Sequence, residues 1–421
     1  MKIHTESGFY AKIKCHWSVP RGTEERTGRR SCQNRLWKGS NPVETYLDNS
    51  ATTRVSDTVA ALIHRMMTEE YGNPSSLHRK GFLAEQRMTA AREQIAAVLG
   101  VRREEIAFTS CGSEANNLAV LGAVRANRRT GSKVVTTAVE HDSLLAAAAQ
   151  LEKEGFQVVR VAPRSDGSLD PQEVAAQVDE NTVLVSVMHV NSETGAINDL
   201  RTIARLAKRN NPKVLVHGDC VQSFGRLPIA PESWKLDLVT MSGHKIHGPK
   251  GVAALYHRKG VRVQPLYYGS AQEYGFHPGT ENVPGICGFG LAAEEIWAGQ
   301  KKNMALYTEL RQLLLEKCRE IPGVCINSPL DGAPYITNLS VPGVRSEVMI
   351  HYLEQLGIYV SSGSACSKGA RSHVLTAMAL PLERVDSAVR VSLCRDNTPE
   401  DIEYFCVCLA KGAREIARVR S

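Results

Sequence analysis

The chain has 421 residues, 43% of them hydrophobic and 23% charged, the composition of an ordinary soluble globular protein with room for two or three domains. Its net charge of +7 sits mostly at the start: residues 1–44 carry nine Lys or Arg against four Glu, leaving 42 basic and 40 acidic side chains elsewhere. So neutral a body gives no reason to expect a nucleic-acid partner, and no apolar run approaches the roughly 18 residues that span a bilayer.

Residues 1–44 hold two of the four Trp, show no helical or strand period and resemble no signal peptide, so they read as a disordered extension or a start placed too early. From Tyr46 the pattern becomes regular. YLDNSATT (46–53) reads as a short strand entering a polar turn. Helical spacing follows over 57–70 and again over 77–99, the second stopped by Gly100. Short apolar runs at 106–109, 133–137, 157–161, 183–188, 214–217, 236–241 and 252–256 then alternate with amphipathic stretches. This rhythm predicts an α/β fold with a mostly parallel seven-stranded sheet covered by helices on both faces. After a loop with Gly, Pro and His at 269–282, one long helical stretch is expected over 286–319. Strand-like runs at 336–341 and 389–393 and a last helix over 399–418 complete a smaller α+β part. The domains are therefore expected at 45–300 and 301–421. The eleven cysteines are scattered, with no CxxC pair and no zinc spacing, and read mainly as small core residues in a reducing compartment.

In parallel sheets, ligands bind outside the carboxyl ends of the strands. Here those ends carry Ser110–Ser113, Glu140 with His141, Asn191–Glu193, Asp219 with Gln222, and Ser242, His244 and Lys245. One polar loop after a strand is unremarkable; five complementary ones facing a single crevice point to one ligand. Lys245, in a glycine-flanked loop, is placed as an amine for covalent chemistry on a carbonyl. Pyridoxal phosphate fits the whole set. Its aldehyde takes Lys245, its pyridine nitrogen a carboxylate partner in Asp219, and its ring a flat neighbour in His141. Its phosphate takes Gly112 and Ser113 at a helix start with Ser242 and His244, and its phenolic oxygen lies within reach of Gln222. His141 taken alone would read as a satisfied residue at a loop edge.

The blocks YLDNSATT (46–53), YGNPSSLH (71–78), FTSCGSEANN (108–117), VEHDS (139–143), NSETG (191–195), HGDCVQS (217–223), SGHKIHGPKG (242–251), PGTEN (278–282), SSGSACS (361–367) and VRVSL (389–393) come in the order that marks one family. From Tyr46 to about residue 418 the chain resembles the cysteine desulfurases, pyridoxal-phosphate enzymes of the class V aminotransferase, type I fold. The resemblance implies conversion of L-cysteine to L-alanine, with the sulfur carried as a persulfide on Cys366 to an acceptor protein. That acceptor would serve iron–sulfur assembly or tRNA thiolation, in a cytoplasmic setting. It implies Arg390 as the receptor of the substrate carboxylate, with Asn191 beside it, and Lys245 or His141 as base for the α-proton. It also implies Thr280 as a phosphate ligand supplied across a homodimer. Cys366 lies in a Ser- and Gly-rich loop, which suits a thiolate that must reach the substrate and then an acceptor.

Three positions depart from the family pattern. Ser192 replaces an Asn near the phenolic oxygen, Cys111–Ser113 replaces Gly-Ala-Thr, and Gln272–His277 lacks the usual arginines. The segment after Cys366 is about two residues shorter than in housekeeping members. Selenocysteine lyase or a related β-elimination, plain aminotransferase and weakly active cofactor-binding scaffold are the alternatives, and the aminotransferase has no use for Cys366.

Overall fold

The computed structural model describes residues 44–363 and 371–418. Residues from Glu44 onward form one compact unit. The extension expected at 1–44 lies outside the described residues except for Glu44.

A two-residue strand, Thr45–Tyr46 (β1), opens the fold. Seven strands then build the main sheet: Ile106–Thr109 (β2), Lys133–Thr137 (β3), Gln157–Val161 (β4), Thr182–Met188 (β5), Leu215–Asp219 (β6), Leu238–Ser242 (β7) and Ala253–His257 (β8). Their order is β2-β8-β7-β6-β5-β3-β4. All pairings are parallel except those of β8, which runs against both β2 and β7. Because β8 is flanked by two strands of the opposite direction, every other strand presents its carboxyl end to one edge of the sheet. β2, β3, β5 and β7 are buried along their whole length, as expected of strands covered on both faces. β4, at the sheet edge, is only partly covered, with Gln157 and Arg160 exposed.

Two strands run slightly past their apolar stretch, and both overruns carry site residues. Asp219 stays in the ladder opposite Thr240, and Ser242 opposite Ala253. The sheet's own hydrogen bonds therefore fix the direction of these two side chains. The long helix expected over 286–319 is two helices, Val283–Ala298 and Gln300–Arg319, separated at Gly299. Glycine holds a helix weakly, and the Gly299 N–H turns back to the Glu295 carbonyl and closes the first helix. That helix also starts early, because the Asn282 side chain accepts from Gly285 N at 3.1 Å.

A second hydrophobic core gathers Tyr307, Leu310, Leu339, Leu353, Val391 and Phe405. It surrounds Cys325–Ile326 (β9), Ile336–Ser340 (β10) and Ala388–Ser392 (β12), an antiparallel sheet in the order β12-β10-β9. Leu47 belongs to this core although it lies at the other end of the chain. The reason is β1, which pairs in parallel with Ile358–Tyr359 (β11). No helix among the described residues is long and apolar enough to cross a membrane.

Candidate active site

The loop after β7 turns sharply enough to present Lys245, and two glycines make that turn possible. A Cβ on Gly243 would lie 3.2 Å from the Phe289 ring, and one on Gly248 would lie 2.7 Å from the Gly243 carbonyl. The close neighbours are thus Phe289 and the loop's own backbone. From outside, the loop is lashed to the segment after β1. Thr53 N donates to the His244 carbonyl at 2.9 Å, and His247 N donates to Thr53 Oγ1 at 2.8 Å. The sequence block YLDNSATT, legible only as a strand and a turn, therefore sets the position of the reactive loop.

Lys245 Nζ points back at this segment, donating to the carbonyls of Ser50 and Ala51, the latter at 2.9 Å. Burial lowers its pKa to about 7, helped by the positive charges of Arg390 and Arg226 and opposed by Asp48 and Asp219. A lysine amine with so low a pKa is substantially unprotonated at neutral pH, and in that form it is a nucleophile and a base. His244, beside it, is pushed down to about 3 by burial and by Lys245 and Lys250, so its ring stays neutral. Its Nδ1 lies 3.3 Å from Thr52 Oγ1.

Asp219, at the end of β6, accepts from Val221 N at 3.0 Å and from Asn116 Nδ2 at 2.9 Å. Asn116 gives its other amide hydrogen to Ser143 Oγ at 3.0 Å, and Ser143 Oγ lies 2.8 Å from His141 Nδ1. Since the Ser143 backbone N–H also donates to that Nδ1, the nitrogen is bare, which leaves Nε2 to carry the ring hydrogen. Asn116 thus links the two groups that flank the crevice. It was missed in the sequence, where its only signal is its place four residues after Gly112, on the same helical face. Replacing Asn116 by Ala strands an Asp219 oxygen and leaves the Ser143 hydroxyl with His141 as its remaining partner. We expect about 1–3 kcal/mol lower stability, read as a lower denaturant midpoint at unchanged slope.

Arg390, on β12, is buried and held from three sides. Nη2 donates to Asp48 Oδ1 at 2.7 Å, and Nη1 donates to the carbonyls of Ser192 at 2.9 Å and Gly363 at 3.3 Å. Its Nε has no partner. Ser192, the departure near the phenolic oxygen, therefore contributes its backbone to holding the arginine. Gln222 donates from Nε2 to the Ser50 carbonyl at 3.1 Å and leaves Oε1 unpartnered. Glu140 is fully buried, and its carboxyl is pushed up to about 8 by burial. It accepts from Thr137 Oγ1 at 2.7 Å and Met188 N at 3.0 Å.

These side chains line one cavity of about 550 Å³. Gly112, Ser113, His141, Ser192, Asp219, Gln222, Ser242, His244 and Lys245 all face it, as the strand-end reading expects, and so does Arg390, which the family resemblance implied. Glu140 faces it too, as its strand end implies, while Ser50, Asn116 and His373 join them without having been expected. Two expected residues stand apart. Asn191 is fully buried and its amide is spent locally: Oδ1 accepts from Glu193 N and Thr194 N, both at 2.9 Å, and Nδ2 donates to the Val139 carbonyl at 3.1 Å. Thr280 is exposed and does not line its own chain's cavity. Cys366 lies outside the described residues.

Whether pyridoxal phosphate suits this cavity can be judged from its unsatisfied atoms. Buried polar atoms are nearly always hydrogen-bonded. Yet Ser50 Oγ, Asn116 Oδ1, Glu140 Oε2, Gln222 Oε1, Ser242 Oγ and Arg390 Nε, all on residues lining this cavity, have no partner in the protein. Such a set fits a polar ligand carrying both anionic oxygens and ring heteroatoms, as the cofactor does. At Gly112 a Cβ would come within 3.2 Å of Val221 Cγ2, so glycine also keeps the helix start close to the Asp219 loop.

A profile of the class-V aminotransferases matches residues 45–405. The chain belongs to the class-V aminotransferase family. Pyridoxal phosphate is the cofactor of that family, and the architecture is its type I fold. A cysteine desulfurase from Nostoc sp. (strain PCC 7120) is 41% identical over 365 residues, covering 85% of this chain and 90% of the relative. The cysteine desulfurase IscS of Methanosarcina thermophila is 38% identical over 361 residues, covering 85% and 89%. Among solved structures, a NifS-like protein superposes with a TM-score of 0.83 at 37% identity, covering 88% of this chain and 99% of its own.

The class-V site here also explains its departure at 272–277. Glu273 is buried and pairs with Arg92 at 2.8 and 2.6 Å while accepting from Phe108 N at 2.7 Å. His277 Nδ1 lies 2.7 Å from Glu114 Oε1, on the helix that begins at Gly112. That contact raises the His277 pKa and, with the Ser110 hydrogen bonds, holds Glu114 below the usual carboxylate range despite its burial. The loop that lacks the family's arginines is thus anchored by two carboxylates instead.

Proposed function

We propose that this site desulfurates L-cysteine, releasing L-alanine and loading the sulfur onto Cys366 as a persulfide. The observation that carries the reading is the joint presence in one cavity of an amine lowered to about pKa 7, Lys245, and a buried guanidinium, Arg390. One suits the cofactor's aldehyde and the other suits the carboxylate of an amino acid. Relatives at 41% and 38% identity, both cysteine desulfurases, support the same reading.

Pyridoxal phosphate, when bound, supplies a sink for the electrons released at the substrate's Cα. Asp219 is the carboxylate for its ring nitrogen, and Gly112, Ser113, Ser242 and His244 hold its phosphate. Gln222 and Ser192 serve its phenolic oxygen, and His141 covers the ring. Thr280 reaches the phosphate of the partner subunit in a homodimer. Arg390 receives the substrate carboxylate, while Asn191 shapes the turn that brings the Ser192 carbonyl to it. Lys245 takes the α-proton, because its lowered pKa makes the free amine accessible at neutral pH while the His141 nitrogen not held by Ser143 carries a hydrogen. The Cys366 thiolate attacks the substrate sulfur, forming the S–S bond as the C–S bond breaks. The carbon keeps that electron pair and gains protons to become alanine. The persulfide then passes to an acceptor protein, which iron–sulfur assembly or tRNA thiolation would supply. The described cysteines form no disulfide, which supports a reducing, cytoplasmic setting.

Sulfide and alanine release from L-cysteine under a reductant tests the reading against Cys366→Ser. We expect turnover in the natural protein and its loss in the variant, with cofactor binding retained. Equal turnover in both would favour plain elimination or transamination.

A further inference from the structure

Behind the reactive loop, on residues the proposed chemistry does not use, His247, Cys394 and Asp396 converge. One ligand atom from each lies within 4.8 Å of the other two. We propose that they form a divalent transition-metal site, zinc being the ion that best suits a nitrogen, a sulfur and an oxygen donor.

The imidazole of His247 carries the argument. It is 2% exposed, and its Nδ1 lies 2.9 Å from the Arg54 carbonyl. A carbonyl can only accept, so Nδ1 holds the hydrogen and Nε2 has a bare lone pair. That Nε2 is buried and has no partner in the protein. A histidine whose outer nitrogen donates to a carbonyl while the inner one stays bare has the second-sphere arrangement of metal-bound imidazoles. The backbone at His247 is also constrained: it adopts a φ of +65°, unusual for a residue with a side chain, and Thr53 Oγ1 accepts from its N–H at 2.8 Å. So the ring is held in place before any ion arrives.

Cys394 and Asp396 supply the charge. Cys394 is a free thiol, 6% exposed, with Sγ 4.0 Å from Asp396 Oδ2, and its N–H is fixed to Asn397 Oδ1 at 2.8 Å. Asp396 is exposed and gives the site an entrance from solvent. The cations that face His247 are Arg226 and Arg395. Arg395 is paired with Glu295 at 3.1 Å, and Arg226 donates to the Lys245 carbonyl at 2.6 Å. Binding a dication releases the thiol proton to solvent, and thiolate plus carboxylate then neutralise the ion. The site ties the loop of Lys245, two residues before His247, to the turn four residues beyond Arg390. A bound ion would fix the distance between the amine and the carboxylate receptor.

The test is cobalt(II) titration of the full-length, cofactor-loaded protein, followed by zinc analysis after dialysis. A thiolate-to-cobalt charge-transfer band and one ion per chain are expected, in the natural protein and equally in Cys366→Ser. Cys394→Ala should lose the band. Asp396→Asn, a change at an exposed side chain that leaves the fold intact, should weaken zinc binding by at least about tenfold. The proposal is overturned by absence of the band in the natural protein, or by affinity unchanged in both the Cys394 and Asp396 variants. Loss of the band in Cys366→Ser would overturn it too, because the ion would then sit on the persulfide cysteine. None of these outcomes depends on sulfur release.

Discussion

Replacing Lys245 by alanine is expected to abolish turnover of L-cysteine, by at least about 10²–10⁴-fold, and to remove the covalent hold on the cofactor. The residual binding should come from the phosphate and ring contacts alone, so the cofactor should dialyse away while the protein stays folded. The lowered pKa gives the same residue a pH signature. Cofactor uptake by the stripped natural protein needs the free amine, so its rate should rise with pH through about 7 rather than near the ordinary lysine value of 10.5. Absorbance followed in a stopped-flow instrument from pH 5.5 to 9.5 checks this. A rise still climbing at pH 9.5 would mean that Lys245 is not desolvated as its surroundings require.

Arg390→Lys is the second large effect. The guanidinium serves Asp48, Ser192 and Gly363 through its two terminal nitrogens and keeps Nε unpartnered. A lysine offers a point charge in place of this fork and cannot keep those contacts while receiving a carboxylate. We expect kcat/KM for L-cysteine to fall about ten- to hundredfold, the worth of one or two charge-assisted hydrogen bonds, and mainly through KM. The visible spectrum of the bound cofactor should not change. Loss of cofactor together with activity would show that the arginine acts on the fold and not on the substrate.

The residues that could be read from strand pattern alone share one property: each ends, or lies just beyond, a buried strand, whereas Arg390, in the middle of β12, was marked only by the family resemblance. Asp219 and Lys245 are polar groups where an apolar run stops, and a parallel sheet gathers such ends along one edge. Asn116 has no such mark. It is one polar residue in a helix, and its meaning comes from Asp219, 103 positions later. Asn191 shows the converse. Its place after β5 was readable, but the direction of its amide depends on a turn in which its own oxygen caps two backbone N–H groups. The single long helix failed at Gly299 because apolar spacing continues across a break that only backbone hydrogen bonding reveals. For the loop at 272–277, the missing arginines were visible, but the buried pairing of Glu273 with Arg92 was not, since it joins segments 181 residues apart.

The strap formed by β1 and the residues after it also governs when the protein can become competent. Ser50 N donates to Ser392 Oγ across 342 residues, and Asp48 waits the same distance for Arg390. Contacts this distant in sequence form only after a large loss of chain entropy. During synthesis, which proceeds from the N-terminus at about 5–20 residues per second, Lys245 emerges long before the partners that settle its loop support. A nascent chain carrying the main sheet alone therefore has its lysine without a finished pocket. A chain truncated before β12 would carry the reactive amine and the groups for the cofactor, yet it would lack Arg390, the receptor of the substrate carboxylate, and the Ser392 anchor of the strap.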